Sequence, residues 1–262
     1  MADHSLVLPD RQAKPRTRGL TMVIDNGMPA GLFEDVLDSY HEYVDLVKFG
    51  WGTSVVTRSI KRKTAALNER EVPFLLGGTL FEKHVQQGRF NEFRALCHNL
   101  GCRYVEVSNG TIDLEPAAKA ELIGVLAGEF EVLAEVGFKD QPRSELLSPS
   151  QWIENINSDL LAGAKYVVLE SRESGSSGIC RPDGELRYGL VEDILRSGVD
   201  VNRLLFEAPT KSIQTYFVKR VGPEVNLGNI AALDVLALET LRLGLRADTL
   251  LDPMETGDEN IP

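Results

Sequence analysis

Eight short apolar runs, each closed by a charged residue, an asparagine or a glycine and each followed by a helical pattern, govern what this chain can fold into. The sixth is the plainest. Tyr166–Leu169 has the composition of a strand buried on both faces, and with no turn residue between it runs into Glu170, Arg172 and Glu173, then Ser174 and Gly175. Strands buried on both faces belong to parallel sheets covered by helices. Charge packed against such a strand is hard to explain by stability, because a buried charge is costly unless it is paired or bound. In parallel α/β folds the C-terminal ends of the strands are where ligands are held.

The other runs end in the same way, with their polar ends at Asp25, Lys48, Gly78, Glu106, Glu135, Glu207 and Asn226. Between them lie helical segments. One covers Leu80 to Leu100 with an interruption near Gly88, one starts at Pro116, and one runs from Ser148-Pro149 to Ala162 and is ended by Gly163. Serine followed by proline suits a helix start and glycine a helix end. Eight strand–helix units predict a single α/β domain, a closed (β/α)8 TIM barrel over residues 19–250. An open doubly wound sheet has fewer units and a glycine-rich phosphate turn, and neither G-x-G-x-x-G nor G-x-x-x-x-G-K-[ST] occurs. Residues 1–18, polar and carrying Arg11, Lys14, Arg16 and Arg18, read as a flexible arm; residues 251–262 read as an acidic tail.

A net charge of −11 argues against nucleic acid or an anionic membrane as partner, while a local cluster of Lys and Arg can still hold a small anionic substrate. Three cysteines without metal spacing suit a reducing cytoplasm, and no apolar stretch reads as a signal peptide or a membrane span. Barrels of this size often associate, which leaves a homo-oligomer open.

In a barrel, one mouth gathers Asp25, Lys48, Glu106, Glu135, Lys139, Glu170, Arg172, Glu173, Glu207 and Asn226. Oxygen ligands of this kind suit Mg2+ rather than zinc, and the four histidines, in the arm and in helical stretches, make a histidine-based triad improbable. For any single acid the plain alternative is an ion pair that closes the mouth. Strand side chains alternate, so some of these residues face a helix instead; Glu170 and Arg172 share one parity, Ser171 and Glu173 the other. Lys48 and Lys139 suit Schiff-base formation, proton transfer or anion binding. Gly50, Gly77, Gly78 and Gly228 allow close backbone approach, Gly228 in the unit where barrels often bind phosphate.

Several stretches, in order along residues 16–250, resemble one family. They are Gly19–Pro29 (GLTMVIDNGMP), Val47–Ser54 (VKFGWGTS), Gly77–Glu82 (GGTLFE), Glu135–Lys139 (EVGFK), Glu170–Gly175 (ESRESG), Phe206–Pro209 (FEAP), Val225–Ile230 (VNLGNI) and Leu238–Thr249 (LETLRLGLRADT). Together they look like the phosphosulfolactate synthase family. The resemblance implies a Mg2+-dependent TIM-barrel lyase that adds sulfite to phosphoenolpyruvate, giving (2R)-phospho-3-sulfolactate, the first step of one route to coenzyme M. It implies Lys139 as general acid, with Glu170 and Arg172 beside it. Asp25, Lys48, Ser108, Asn226 and Gly228 become the expected substrate contacts, and Glu106, Glu135 and Glu207 the expected metal ligands. Two positions depart from the family pattern: Asp25-Asn26-Gly27 stands where D-K-G is usual, and Ser108-Asn109-Gly110 where S-D-G is usual. They motivate a second reading, a same-fold enzyme using a related enol phosphate or another nucleophile. A non-catalytic barrel and a Schiff-base aldolase are further alternatives.

Overall fold

Alternation decides what the strands put inside. Leu20, Met22, Leu46, Leu75, Tyr104, Leu133, Tyr166, Val168 and Leu205 pack together as one buried cluster, while their strand neighbours, among them Val23, Val47, Phe74, Val105, Ala134, Val167 and Phe206, join a second cluster with the helices. Two apolar faces per strand require a sheet with helices outside and its own side chains within.

The computed structural model, which describes residues 5–251, has this architecture. The strands are β1 (Thr21–Asp25), β2 (Leu46–Phe49), β3 (Phe74–Leu76), β4 (Tyr104–Val107), β5 (Glu131–Val136), β6 (Tyr166–Leu169), β7 (Leu204–Glu207) and β8 (Leu227–Ala231). Every ladder is parallel, in the order β3-β2-β1-β8-β7-β6-β5-β4. The (β/α)8 barrel expected from the eight runs is therefore present. Its end strands β3 and β4 adjoin, yet no backbone ladder joins them among the described residues.

The helices are α1 (Ala30–Tyr40), α2 (Thr53–Val56), α3 (Ile60–Glu69), α4 (Gly78–Gln86), α5 (Phe90–Leu100), α6 (Pro116–Ala127), α7 (Gln141–Leu146), α8 (Pro149–Leu161), α9 (Tyr188–Leu195), α10 (Lys211–Val221) and α11 (Val235–Arg242). The break expected near Gly88 separates α4 from α5, and Gly88 has φ +68°. A reciprocal cap between Ser148 and Gln151 starts α8.

Residues 11–16 of the N-terminal arm, expected to be flexible, are tied across the bottom of the barrel. Arg11 bonds Glu224 at 2.5 Å and Glu239 at 3.0 Å, Lys14 donates to the carbonyls of His41 and Val44, and Arg16 pairs with Asp45 at 3.1 Å. These partners lie far along the chain, so local composition carried no sign of them. The acidic tail beyond Leu251 lies outside the described residues. Among the described residues no helix is long and apolar enough to cross a membrane.

Candidate active site

The period of two that builds the apolar interior also builds the site. Lys48, Glu106, Glu135, Glu170 and Glu207 each stand two residues beyond an interior apolar residue, namely Leu46, Tyr104, Leu133, Val168 and Leu205. They form the next layer up, buried at the C-terminal ends of their strands. With Lys139 and Arg172 they line one cleft.

Lys48 bridges the floor of this cleft, with Nζ 3.2 Å from Glu106 Oε1 and 2.9 Å from Glu207 Oε1. Burial works against its charge, but the carboxylates of Glu106, Glu207 and Glu135 outweigh it and hold the pKa above the ordinary lysine value. The second oxygen of Glu106 accepts from the Gly78 amide at 2.5 Å, and that of Glu207 from the Ser171 amide at 3.0 Å.

Lys139 closes one side. Gly137 at φ +121° turns the chain tightly against Trp152 and Glu170. The turn brings Lys139 Nζ back to Glu135 Oε1 at 2.9 Å, with Glu82 Oε2 at 3.7 Å and Glu170 Oε2 at 3.8 Å. Burial again opposes the charge, and Glu135, Glu170 and Glu82 overcome it, so Lys139 titrates well above the usual range. A Schiff-base role needs a neutral amine. Both lysines are held charged, and that reading finds no support.

The carboxylates divide the available cations unequally. Burial pushes Glu135 up, but Lys139, Lys48 and a 2.6 Å hydrogen bond from Ser108 outweigh it and bring the pKa down to about 2. Burial, with repulsion from Glu135 and Glu207, raises Glu170 well above the carboxylate range, and burial raises Glu106 despite Lys48. Negative groups thus exceed the positive ones in the cleft. Oxygens of Glu135, Glu170 and Glu207 lie within 4.8 Å of one another, and Glu170 Oε2 has no hydrogen-bond partner. An all-oxygen, carboxylate-rich cluster with an unsatisfied acceptor fits a hard divalent cation such as Mg2+. Of the expected ligands, Glu135 and Glu207 belong to this trio. Glu106 lies outside this group of mutually close oxygens, and Glu170 stands in its place.

Three expected substrate contacts lie elsewhere. Asp25 shares the face of Val23, not of Met22, and pairs with Lys63 of α3 while accepting from the Gly27 and Met28 amides at 2.9 and 2.8 Å. Asn226 sits at the opposite, N-terminal end of the barrel, where its side chain bonds the backbone of Leu20, Asn202 and Leu204. Gly228 lies within the barrel, and a Cβ there would come within 2.3 Å of Leu205. Ser108 is in the network without lining the cleft. Arg172 lines it with a side chain 44% exposed, held by a 3.5 Å bond to the Lys139 carbonyl and a 3.8 Å pair with Glu173. Of the two departing asparagines, Asn109 bonds the Leu114 carbonyl and lines a separate pocket outside the barrel, and Asn26 is exposed beside Gly50.

Two contributors were missed. Glu82, buried on α4, accepts from Ser108 at 3.2 Å and from the Thr111 amide at 2.7 Å, and it faces Lys139. It stands on a helix rather than at a strand end, so the rule of polar strand ends passed over it. Asn229 lines the cleft where Asn226 was expected.

Residues 9–248 match the model of the (2R)-phospho-3-sulfolactate synthase family. This chain belongs to that family. The phosphosulfolactate synthase of Bacillus subtilis is 48% identical over 249 residues, covering 95% of this chain and 99% of its own length. That of Methanothermobacter thermautotrophicus is 41% identical over 246 residues, covering 92% and 95%. Among solved structures, the 3-hexulose-6-phosphate synthase of Salmonella typhimurium superposes with a TM-score of 0.56 over 87% of this chain and 100% of its own, at 14% identity; it shares the fold. The synthase family is one of enzymes, specifically lyases.

Proposed function

We propose that this family member adds sulfite to phosphoenolpyruvate in a Mg2+-dependent reaction that yields (2R)-phospho-3-sulfolactate, with Lys139 as general acid. The observation that carries the reading is the position of Lys139, charged and in ion-pair contact with Glu135 and Glu170, two of the three carboxylates suited to a cation. When bound by Glu135, Glu170 and Glu207, the cation would offset the charge that builds on the substrate carboxylate during the addition. Arg172, exposed and loosely held, is placed to meet an incoming anion at the rim. The sulfur lone pair of sulfite forms the bond to C3, and the C2–C3 π electrons move toward C2 and the carboxylate. Lys139 then delivers its proton to C2 and recovers one from solvent. Its pairs with Glu135, Glu82 and Glu170 keep the amine protonated and aimed until that step. Lys48, locked between Glu106 and Glu207, holds the floor of the site in shape.

A related nucleophile keeps little support beyond Asn26, since Asn109 does not line the cleft. The test is to follow phosphoenolpyruvate consumption by 31P NMR with sulfite and Mg2+, with and without EDTA. A new phosphate ester that requires both sulfite and metal is the expected result; turnover without sulfite, or unaffected by EDTA, would overturn the reading.

A further inference from the structure

β8 carries one residue more than β1 along the stretch where the two pair. Thr21 lies opposite Leu227 and Val23 opposite Ile230, so the register slips between them. Leu227 and Ile230 both pack in the outer cluster between sheet and helices. Strict alternation places on one face only residues an even number apart. The two residues between them, Gly228 and Asn229, both belong to the inner side: Gly228 abuts Leu205 and Met22, and Asn229 lines the cleft. Bulges of this kind re-aim side chains and collect beside active sites.

The residue re-aimed here is held under strain. Asn229 has φ +54°, in the left-handed region that side chains adopt reluctantly. Trp51 and Arg172, at φ +51° and +58°, line the same cleft. Asn229 is 5% exposed, and its Oδ1 is buried without a hydrogen-bond partner. A glycine would adopt this backbone with less strain and bury no acceptor. Keeping the asparagine makes sense if something in the cleft meets its oxygen, and that something must bring a donor or positive charge. Glu170 Oε2, in the same cleft, also accepts no hydrogen bond, its nearest cation being Lys139 at 3.8 Å. Asn229 also adjoins the cluster through the sheet, because Glu207 pairs with Gly228 in the β7–β8 ladder.

We propose that Asn229 Oδ1 is a fourth protein oxygen of the divalent-cation site formed by Glu135, Glu170 and Glu207, reaching the ion directly or through one coordinated water. The inference rests on the cation reading of the proposed function. Hard cations take amide carbonyl oxygens alongside carboxylates. A neutral ligand also completes the shell without adding to the repulsion among three glutamates already crowded together.

The test uses the full-length protein without substrate and Mn2+ as probe, with affinity measured by calorimetry and by the electron paramagnetic resonance signal of free Mn2+. Asn229→Gly removes the side chain and suits the backbone; Asn229→Asp keeps the oxygen. Asn229→Gly should weaken Mn2+ by about 10- to 100-fold, the loss typical when a supporting contact to a metal site is removed. Its metal-free melting temperature should be unchanged or higher. Asn229→Asp should bind at least as tightly as the wild type. Wild-type affinity in Asn229→Gly overturns the inference, and a raised KM for the substrate in that case would assign the oxygen to substrate instead. Failure of the wild type itself to bind Mn2+ would bring down the cation reading and this inference together, which distinguishes the two failures.

Discussion

The ammonium of Lys139 lies 2.9 Å from Oε1 of Glu135, the residue four positions before it at the end of β5. One strand end therefore supplies both the proposed proton donor and its tightest partner, and the left-handed Gly137 between them makes the return possible. Lys139→Ala should lower kcat by about 10²- to 10⁴-fold, the usual contribution of a positioned general acid. The same protein should keep its far-ultraviolet circular dichroism. A loss of less than tenfold in kcat would remove Lys139 from the proton-transfer step.

Glu135 and Glu170 should drive stability in opposite directions with pH. Glu135, at about 2 in the folded protein, lies below the ordinary value of about 4.3. Its contribution is complete above that ordinary value and is lost as pH falls toward 2. Glu170, raised well above the range chiefly by burial, binds its proton more tightly in the folded than in the unfolded chain, so it destabilises increasingly as pH climbs above about 4.3. Urea unfolding in EDTA at pH 3 and pH 7 separates the two. Glu135→Gln should lose more stability at pH 7 than at pH 3, and Glu170→Gln should gain more at pH 7. Shifts independent of pH would contradict both assignments.

Lys48 is the only cation within 4 Å of Glu106 and Glu207 among the described residues. Removing one partner of a buried ion pair destabilises by about 3–5 kcal/mol, because the other charge stays behind. Lys48→Met should show a loss of that size in denaturant unfolding.

Gly228 offers a test between a packing role and a phosphate-binding one. A Cβ there would lie 2.3 Å from Leu205 Cδ2 and 2.9 Å from Met22 Cε. Gly228→Ala should therefore destabilise by about 1–3 kcal/mol through overpacking. Measured in a Leu205→Ala background, the same substitution should cost less, because the clash has been removed. An increase in KM with no change in melting temperature would instead return Gly228 to the substrate site.

Arg172 is exposed and weakly held, so Arg172→Gln should leave the melting temperature unchanged. Loss of a charged hydrogen bond worth about 1.5–3 kcal/mol corresponds to a rise in KM for the anionic substrates of roughly 10- to 100-fold. Steady-state kinetics against phosphoenolpyruvate checks it.

The barrel and most of the buried polar layer at its mouth were legible in the sequence because one rule writes both. An apolar interior residue followed two positions later by an acid or lysine recurs from Leu46 and Lys48 to Leu205 and Glu207. The rule failed wherever something other than alternation decided the outcome. Asp25 ends its strand as expected, but on the parity of Val23, which faces the helices; a polar strand end alone does not reveal its face. The bulge in β8 exchanged Asn226 for Asn229, and its trace was the odd spacing of two outward apolar residues, Leu227 and Ile230. Arg11 reaches Glu224 and Glu239 across nearly the whole chain, a pairing with no local signature.

Among the described residues, seven junctions of this barrel are backbone ladders, but β3 and β4 meet without one. At the mouth that joint is fastened by side chains: Glu106 takes the Gly78 amide at the start of α4, and Glu82 on α4 takes the Thr111 amide after β4. Barrel enzymes commonly diversify because the loops that perform chemistry can change while the staves stay put. Here the fasteners are also neighbours of Lys48 and Lys139. A mutation that retunes acidity on this side also loosens the cask, so new specificities have freer room to arise across the opening, around Arg172 and Asn229, than at the hoop formed by Glu82 and Glu106.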